Sequence, residues 1–330
     1  MSTGPGLGSS GQAGPRSAPL IAPAAVEGST KFGAARLSVA SNSALIVLKI
    51  VAGALTGSIA IVTEAVHSSI DLLASTVAYL SLRKADEPAD ESHMYGHAKI
   101  ENLAAAIEGM LILIGAGVIV FEAVRRLDHA PELNRLGFGI AVIGVSAVVN
   151  LGVSGYLYRQ ARWHDSPALE GDAAHLRADA WTSLAVLGAL VLIEITDVSQ
   201  FDSIMALIVA SAIVYTGIRI LSRSSRVLVD EALPADELEK VRELIDDYPA
   251  PELVGHHKLR GRRAGSARYI DLHLQFEPGT SLEQAHAIGH RLQEMIRREL
   301  PGADLLVHIE PARSQDIDAR AERPSAREEG

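Results

Sequence analysis

Over the first two thirds of the chain, long apolar segments alternate with short polar ones, and a different pattern follows. A helix that crosses a bilayer needs about 20 mainly apolar residues. Segments of this kind run from about Ala34 to Leu55, Ser58 to Leu82, Glu101 to Arg125, Leu136 to Tyr158, Glu170 to Ile195 and Phe201 to Leu221. They predict six transmembrane helices in an α-helical bundle. Thr56-Gly57-Ser58 leaves only a tight turn between the first two, which therefore form a hairpin. Residues 1–31 are rich in Gly, Pro, Ser and Ala. With no apolar stretch long enough for a signal peptide and no amphipathic period, they are expected to be a disordered tail. The charged stretch from Arg83 to Lys99 must lie in water.

The membrane part is expected to occupy residues 32–225 and a soluble domain residues 226–312, with a second disordered tail over 313–330. In the soluble part the order reads helix, strand, strand, helix, strand. Asp236 is the expected cap of a helix reaching about Tyr248. Ile270, Leu272, Leu274 and Phe276 alternate with Asp271, His273 and Gln275, the period of a half-buried strand that turns His273 away from the core. Ser281 and Gln284 have the spacing of a capping box, and the helix behind them repeats apolar residues at Ile288, Leu292 and Leu300. Pro301-Gly302 stops it. In the strand from Asp304 to Glu310, His308 and Glu310 share a face. Together these elements predict a small two-layer α+β domain.

Charge gives the bundle an orientation. With the termini and even-numbered loops on one side, that side holds eleven Lys or Arg near span ends, among them Lys31, Arg83, Lys99, Arg162 and Arg223. The other side holds three, Arg125, Arg126 and Arg135, which places both termini in the cytoplasm. The formal net charge of −10 and the lack of a basic cluster argue against nucleic acid as a partner. No cysteine is present, so any metal must be held by imidazole and carboxylate.

His67 and Asp71 lie four residues apart inside the second span, one turn apart on one helix face. The same pair recurs as His175 and Asp179 in the fifth span. An ionised carboxylate at the bilayer centre costs about 2.5–3.5 kcal/mol on the insertion scale. A divalent cation offsets that cost, since two neutral His and two carboxylates around it sum to zero charge, and four N/O ligands suit tetrahedral Zn2+. One such pair alone would serve equally as an interhelical hydrogen bond or a proton relay; the repetition favours a metal site.

The chain also resembles the cation diffusion facilitators, proton-coupled exporters of divalent metals. The resemblance covers about residues 32–312 and is carried by Gly57-Ser-Ile-Ala-Ile, Glu64-Ala-Val-His-Ser-Ser-Ile-Asp-Leu, Tyr95-Gly-His-Ala-Lys-Ile-Glu-Asn-Leu, His175-Leu-Arg-Ala-Asp-Ala-Trp-Thr-Ser and Asp230-Glu-Ala-Leu-Pro. It implies six spans with a C-terminal cytoplasmic ferredoxin-like domain, a homodimer, and His67, Asp71, His175 and Asp179 as the transport site. His67, where iron- and manganese-type members often carry Asp, resembles the zinc branch, although imidazole also suits cobalt, nickel and iron. The resemblance further implies a loop metal site at Asp90, His93 and His97. It also implies a regulatory zinc site at His257, His273, His308 and Glu310, with His286 as a bridge to a second ion. Glu310 stands where Asp is common in the family. The same loop and sheet residues would suit a solvated surface. Lys99 and Asp230 match a charge pair that joins the two domains. Glu108 is an intramembrane acid without an assigned partner, to which gating, proton binding and snorkelling are all open.

The expected activity is export of Zn2+ from the cytoplasm in exchange for protons, across a bacterial inner membrane. Transport mainly of Fe2+, Co2+, Cd2+ or Mn2+, and metal sensing without transport, are the alternatives. A metalloenzyme would need an open coordination position and a positioned base. The chain has no His-Glu-x-x-His motif, so an enzyme is not expected.

Overall fold

A computed structural model describes residues 25–56, 59–128, 137–196 and 200–312 of the chain. Six long helices come first: α1 (Ala25–Thr56), α2 (Ile59–Ala85), α3 (Lys99–Asp128), α4 (Gly137–Trp163), α5 (Pro167–Thr196) and α6 (Gln200–Leu228). The two tails (apart from residues 25–31), the turn at Gly57-Ser58 and Arg135 lie outside the described residues. Residues 25–31, expected in the N-terminal tail, are the first two turns of α1. The ion pairs of Lys31 with Glu101 and Asp86 tie that end of the helix to the bundle.

The helices pack as neighbours in space chiefly through α3 against α6, α4 against α5 and α1 against α2. Where α1, α2, α4 and α5 meet at the end near the soluble domain, the seam is made of small residues, Ala34, Ala35, Ala161, Ala168 and Ala173, around Leu82, Leu157 and Leu169. Small side chains let backbones approach closely, which is how helices associate in lipid. Large apolar side chains such as Val47, Phe121, Val148 and Ile195 point outward, the reverse of a water-soluble bundle. Four described helices are long and apolar enough to cross a membrane, over Thr30–Ala52, Lys99–Arg125, Ala141–Trp163 and Ser203–Leu228. The two long helices outside this set, α2 and α5, are those that carry the His and Asp pairs.

The C-terminal domain runs α7 (Ala235–Asp246), β1 (Leu253–Ala264), β2 (Ala267–Phe276), α8 (Leu282–Glu299) and β3 (Ala303–Pro311). The sheet has the order β1-β2-β3, with β1 antiparallel and β3 parallel to β2, and α8 makes the crossover that a parallel pair requires. Ile270, Leu272, Leu274 and Phe276 pack with Ile288, Leu292 and Ile296 of α8 and with Val241 and Ile245 of α7. The helices therefore cover one face of the sheet and leave the other to the histidines. Ser281 and Gln284 form the capping box. Asp236 does not cap α7: Pro234 holds that position without a side-chain bond, and Asp236 lies in the first turn, where its charge still complements the helix dipole.

The two domains meet at the start of α3. Lys99 Nζ lies 2.7 Å from Asp230 Oδ1, and Arg262 Nη1 reaches the same oxygen at 2.8 Å. The Gly265 N–H in the β1–β2 turn donates to Asn102 Oδ1 at 2.7 Å, and Tyr269 Oη donates to the Tyr95 carbonyl at 2.7 Å. Gly265 has φ +57°, and a Cβ there would stand 2.6 Å from the Ala98 carbonyl oxygen. Only glycine fits.

Candidate functional site

Helix α2 presents Asp71 and α5 presents His175 and Asp179 toward one another inside the bundle. A hydrogen bond joins His175 Nε2 to Asp71 Oδ1 at 3.2 Å, and the same nitrogen lies 3.7 Å from Asp179 Oδ2. Each of the three residues offers a ligand atom within 4.8 Å of the others. His67 lies on α2 one turn before Asp71, but its side chain is outside what the structure describes.

Glu108 of α3 stands behind this group. It is 0% exposed, neither oxygen hydrogen-bonds to a described residue, and Oε2 points at His175 Nδ1 from 3.8 Å. The partner missing from the sequence reading is therefore His175, approached on the ring nitrogen that faces away from Asp71. Helices α3 and α5 come this close because position 171 is glycine: a Cβ there would lie 3.0 Å from Glu108 Cβ.

Further polar residues, which the sequence reading did not single out, continue the site toward the soluble domain. Asp172, one turn before His175, is fully buried and accepts a hydrogen bond from Ser75 Oγ at 2.8 Å. Ser75 in turn accepts from Asn42 Nδ2 at 2.8 Å and touches Ser38 Oγ at 2.9 Å. At the helix ends Lys31 Nζ lies 2.5 Å from Glu101 Oε1, and Ser166 Oγ donates to the other oxygen at 2.5 Å. On the far side, Lys49 of α1 donates to Ser68 Oγ at 2.6 Å. The spacing of Asp172 from His175 was a readable signal, because residues three apart share a helix face. The partners across helices were not.

The loop before α3 brings Asp90, His93 and His97 together. Both imidazoles approach the Asp90 carboxylate at 3.3 Å, and their ring centroids are 4.5 Å apart. Hydrogen bonds from Ser92 and His93 hold the Asp90 carboxyl well below the usual carboxylate range. The side chain of His97 is only 1% exposed, whereas those of His93 and Asp90 face solvent.

On the open face of the sheet, His257 pairs with His273 across β1 and β2, and His273 with His308 across β2 and β3. Glu310 lies 2.9 Å from His257 Nε2, 3.1 Å from His273 Nδ1 and 3.9 Å from His308 Nε2. The hydrogen bond from His273 leads the causes that hold the Glu310 carboxyl below its ordinary value. His257, His273 and Glu310 form the tight group, with His308 stacked on His273 at 4.5 Å between centroids. His286 does not join them. It sits on the exposed side of α8 against His290, ring centroids 4.5 Å apart, because α8 covers the opposite face of the sheet.

A helical bundle with a buried carboxylate–imidazole group and an appended α+β domain with a second such group defines a membrane transporter of metal cations. Comparison with known proteins agrees. The cation efflux transmembrane domain family matches residues 35–229, and the cation efflux protein cytoplasmic domain family matches residues 233–312. The chain belongs to the cation diffusion facilitator family; it is a metal-efflux transporter and not an enzyme. An uncharacterised transporter of Synechocystis is 31% identical over 275 residues, 83% of this chain and 88% of its own. The cation-efflux pump FieF of Serratia proteamaculans is 33% identical over 278 residues, 84% of this chain and 92% of its own. A solved structure of CzrB is 28% identical, covers 24% of this chain and 99% of its own, and has a TM-score of 0.24.

Proposed function

We propose that this transporter exports Zn2+ from the cytoplasm in exchange for protons, as a homodimer in a bacterial inner membrane with both termini inside. The observation that carries this reading is the gathering of Asp71, His175 and Asp179 within 4.8 Å between α2 and α5. With His67 one turn from Asp71, the group becomes two His and two carboxylates, a set that suits zinc. Helices α2 and α5 then cross the bilayer too, giving six spans.

Imidazole and carboxylate must be deprotonated to hold a cation, so metal and H+ compete for the same atoms. Competition becomes exchange when the site opens to the two sides in turn. Zinc binds from the cytoplasmic side and protons from the more acidic exterior displace it. Glu108 faces His175 Nδ1 from 3.8 Å, where closing to a hydrogen bond would orient the ring with Nε2 toward the metal, as outer-shell carboxylates do for zinc-bound imidazoles. Asp90, His93 and His97 form a weak entry site, and His257, His273, His308 and Glu310 form a regulatory one whose occupancy favours one arrangement of the two domains.

Uptake into proteoliposomes tests the reading. At a fixed pH gradient Zn2+ should be taken up in preference to Cd2+, Co2+, Fe2+ and Mn2+, with an opposed proton flux that Asp179→Ala abolishes. Zinc uptake indifferent to the gradient, or full flux in the variant, would overturn proton exchange. Preference for another ion would overturn zinc, and binding without uptake would make the protein a sensor.

A further inference from the structure

On the lipid-facing side of α5 and α6 lies a cavity of about 360–460 Å3 in each of two adjoining parts, and its chemistry is unlike that of the metal site. The larger part, about 460 Å3, is floored by Ala174 and Ala178 of α5 and by Val209 and Ile213 of α6. Toward the soluble domain the lining turns cationic with Arg219 and Arg223, Arg177 stands beside the floor, and Glu170 is the one acid. The smaller part adds Arg162 and Arg263 against Asp165, so five arginines face two carboxylates.

Arg263 is paired with Glu237 and lies 3.9 Å from Asp165, but three of the five are not used up in this way. Arg223 is held by both oxygens of Glu170, at 2.7 and 3.0 Å, but Arg177 has its guanidinium 4.9 Å over the ring of Tyr158. Among the described residues Arg219 and Arg162 have no carboxylate within ion-pair distance. On α6 the apolar floor and the arginines follow one another along the helix axis, whereas Arg177 of α5 lies between Ala174 and Ala178, at the depth of the floor. Ile208 and Arg223 are fifteen residues apart on α6, about 22 Å at 1.5 Å per residue, which exceeds the ~15 Å of hydrocarbon in one leaflet. Trp181 and Tyr215 flank the groove with 52% and 69% of their surface free.

Three occupants are conceivable for an open groove at this position, and charge separates them. A divalent cation entering here would meet a net positive rim, so this is not the path to Asp71 and His175. A second copy packed symmetrically would set the same arginine row against itself. An anionic lipid satisfies both ends, its phosphate forked by guanidinium groups and its chain laid on the alanine floor.

The geometry points to a binding site for one anionic phospholipid of the cytoplasmic leaflet, with its phosphate between Arg219 and Arg177 and an acyl chain between α5 and α6. The lipid packs against the side of α5 next to the one that carries His175 and Asp179, with Ala174 and Ala178 their direct neighbours in sequence. Its occupancy therefore bears on the position of α5.

Native mass spectrometry of the purified full chain, titrated with phosphatidylglycerol or with phosphatidylcholine of the same acyl chains, tests the site. The expected result is one retained phosphatidylglycerol per chain, with affinity lowered about tenfold by Arg219→Ala and further by Arg177→Ala with Arg219→Ala. Equal retention of the zwitterionic lipid, or variants indistinguishable from the parent, would overturn it. Since a variant can lose lipid by misfolding, a second measurement uses the unaltered protein. Phosphatidylglycerol with a photoreactive group in its acyl chain should label peptides that contain Val209 and Ile213. Labelling confined to other helices, full competition by glycerol phosphate without acyl chains, or cross-linking of a second protein copy at Val209 would each overturn the assignment.

Discussion

Glu108 Oε2 lies 3.8 Å from His175 Nδ1, on the side of the imidazole opposite to Asp71. An acid in a helix interior is thereby placed where it could orient a residue proposed as a metal ligand. Glu108→Gln preserves the shape but weakens the acceptor, and is expected to raise the KM for zinc about 10–100-fold, the range found when outer-shell partners of metal-bound histidines are lost. Proteoliposome uptake measures it. An unchanged KM would leave Glu108 without a part in metal binding.

Ser75 is the junction between α1, α2 and α5, since it donates to Asp172 and accepts from Asn42. Replacing it by alanine takes one hydrogen bond from a buried carboxylate and one from a buried amide, leaving Asp172 with Ser38 alone and Asn42 with a 3.5 Å bond to the Asp71 carbonyl. Each such loss costs up to about 3 kcal/mol. Ser75→Ala is expected to lower the thermal unfolding temperature of the detergent-solubilised protein, whereas a comparable change at exposed Ser225 should not.

Asp230 holds the domains together through Lys99 and Arg262, and the hydrogen bond from Lys99 leads the causes that hold its carboxyl below the ordinary value. A depressed folded-state pKa gives a contact that is complete above the ordinary Asp value of about 3.9 and is lost as the pH falls through the lowered one. Residue 230 has φ +62°, a conformation that Asn also tolerates. Asp230→Asn should therefore keep the backbone and remove the charge. Spin-label distances between the domains should show at neutral pH the separation that the parent shows only in acid.

Gly265→Ala places a Cβ 2.6 Å from the Ala98 carbonyl oxygen, at a φ of +57°. Strain at a left-handed position costs about 1–2 kcal/mol even without a clash. The turn should pull away from Asn102, and limited proteolysis should cut near residue 265 faster than in the parent. An unaltered digestion pattern would show that the contact yields without effect.

The sheet-face cluster predicts a zinc-dependent rate. If metal at His257, His273 and Glu310 favours one arrangement of the domains, His273→Ala should flatten the rise of transport with cytoplasmic zinc. Chelation of that zinc should have the same effect on the parent. Identical curves for parent and variant would remove the regulatory role.

The features legible in the sequence were those set by local periodicity. The long apolar runs gave the helices, the alternation from Ile270 to Phe276 gave a strand with His273 on the open face, and the repeated four-residue spacing marked Asp71, His175 and Asp179, which converge from α2 and α5. What could not be read depends on which helix stands beside which. Glu108 is visible in the sequence as an acid inside an apolar run and Asp172 by its spacing from His175, but only packing supplies His175 and Ser75 as their partners. His286 was expected to join the sheet histidines, yet α8 must bury Ile288 and Leu292 on the other face, which carries His286 away. At Asp236 a residue suited to capping lies instead in the first turn, because the helix starts at Ala235 with Pro234 in the cap position.

Asn102 and Lys99, which take the soluble domain's turn and hinge, are on the same helix as Glu108, which faces His175. From Lys99 to Glu108 is nine residues, about 14 Å of continuous α-helix. Helix α3 is thus a rigid rod with one end gripped by the soluble domain and a carboxylate partway along its length. A tilt imposed by the domain at the grip would shift Glu108 against Nδ1 of His175, the residue proposed as a metal ligand.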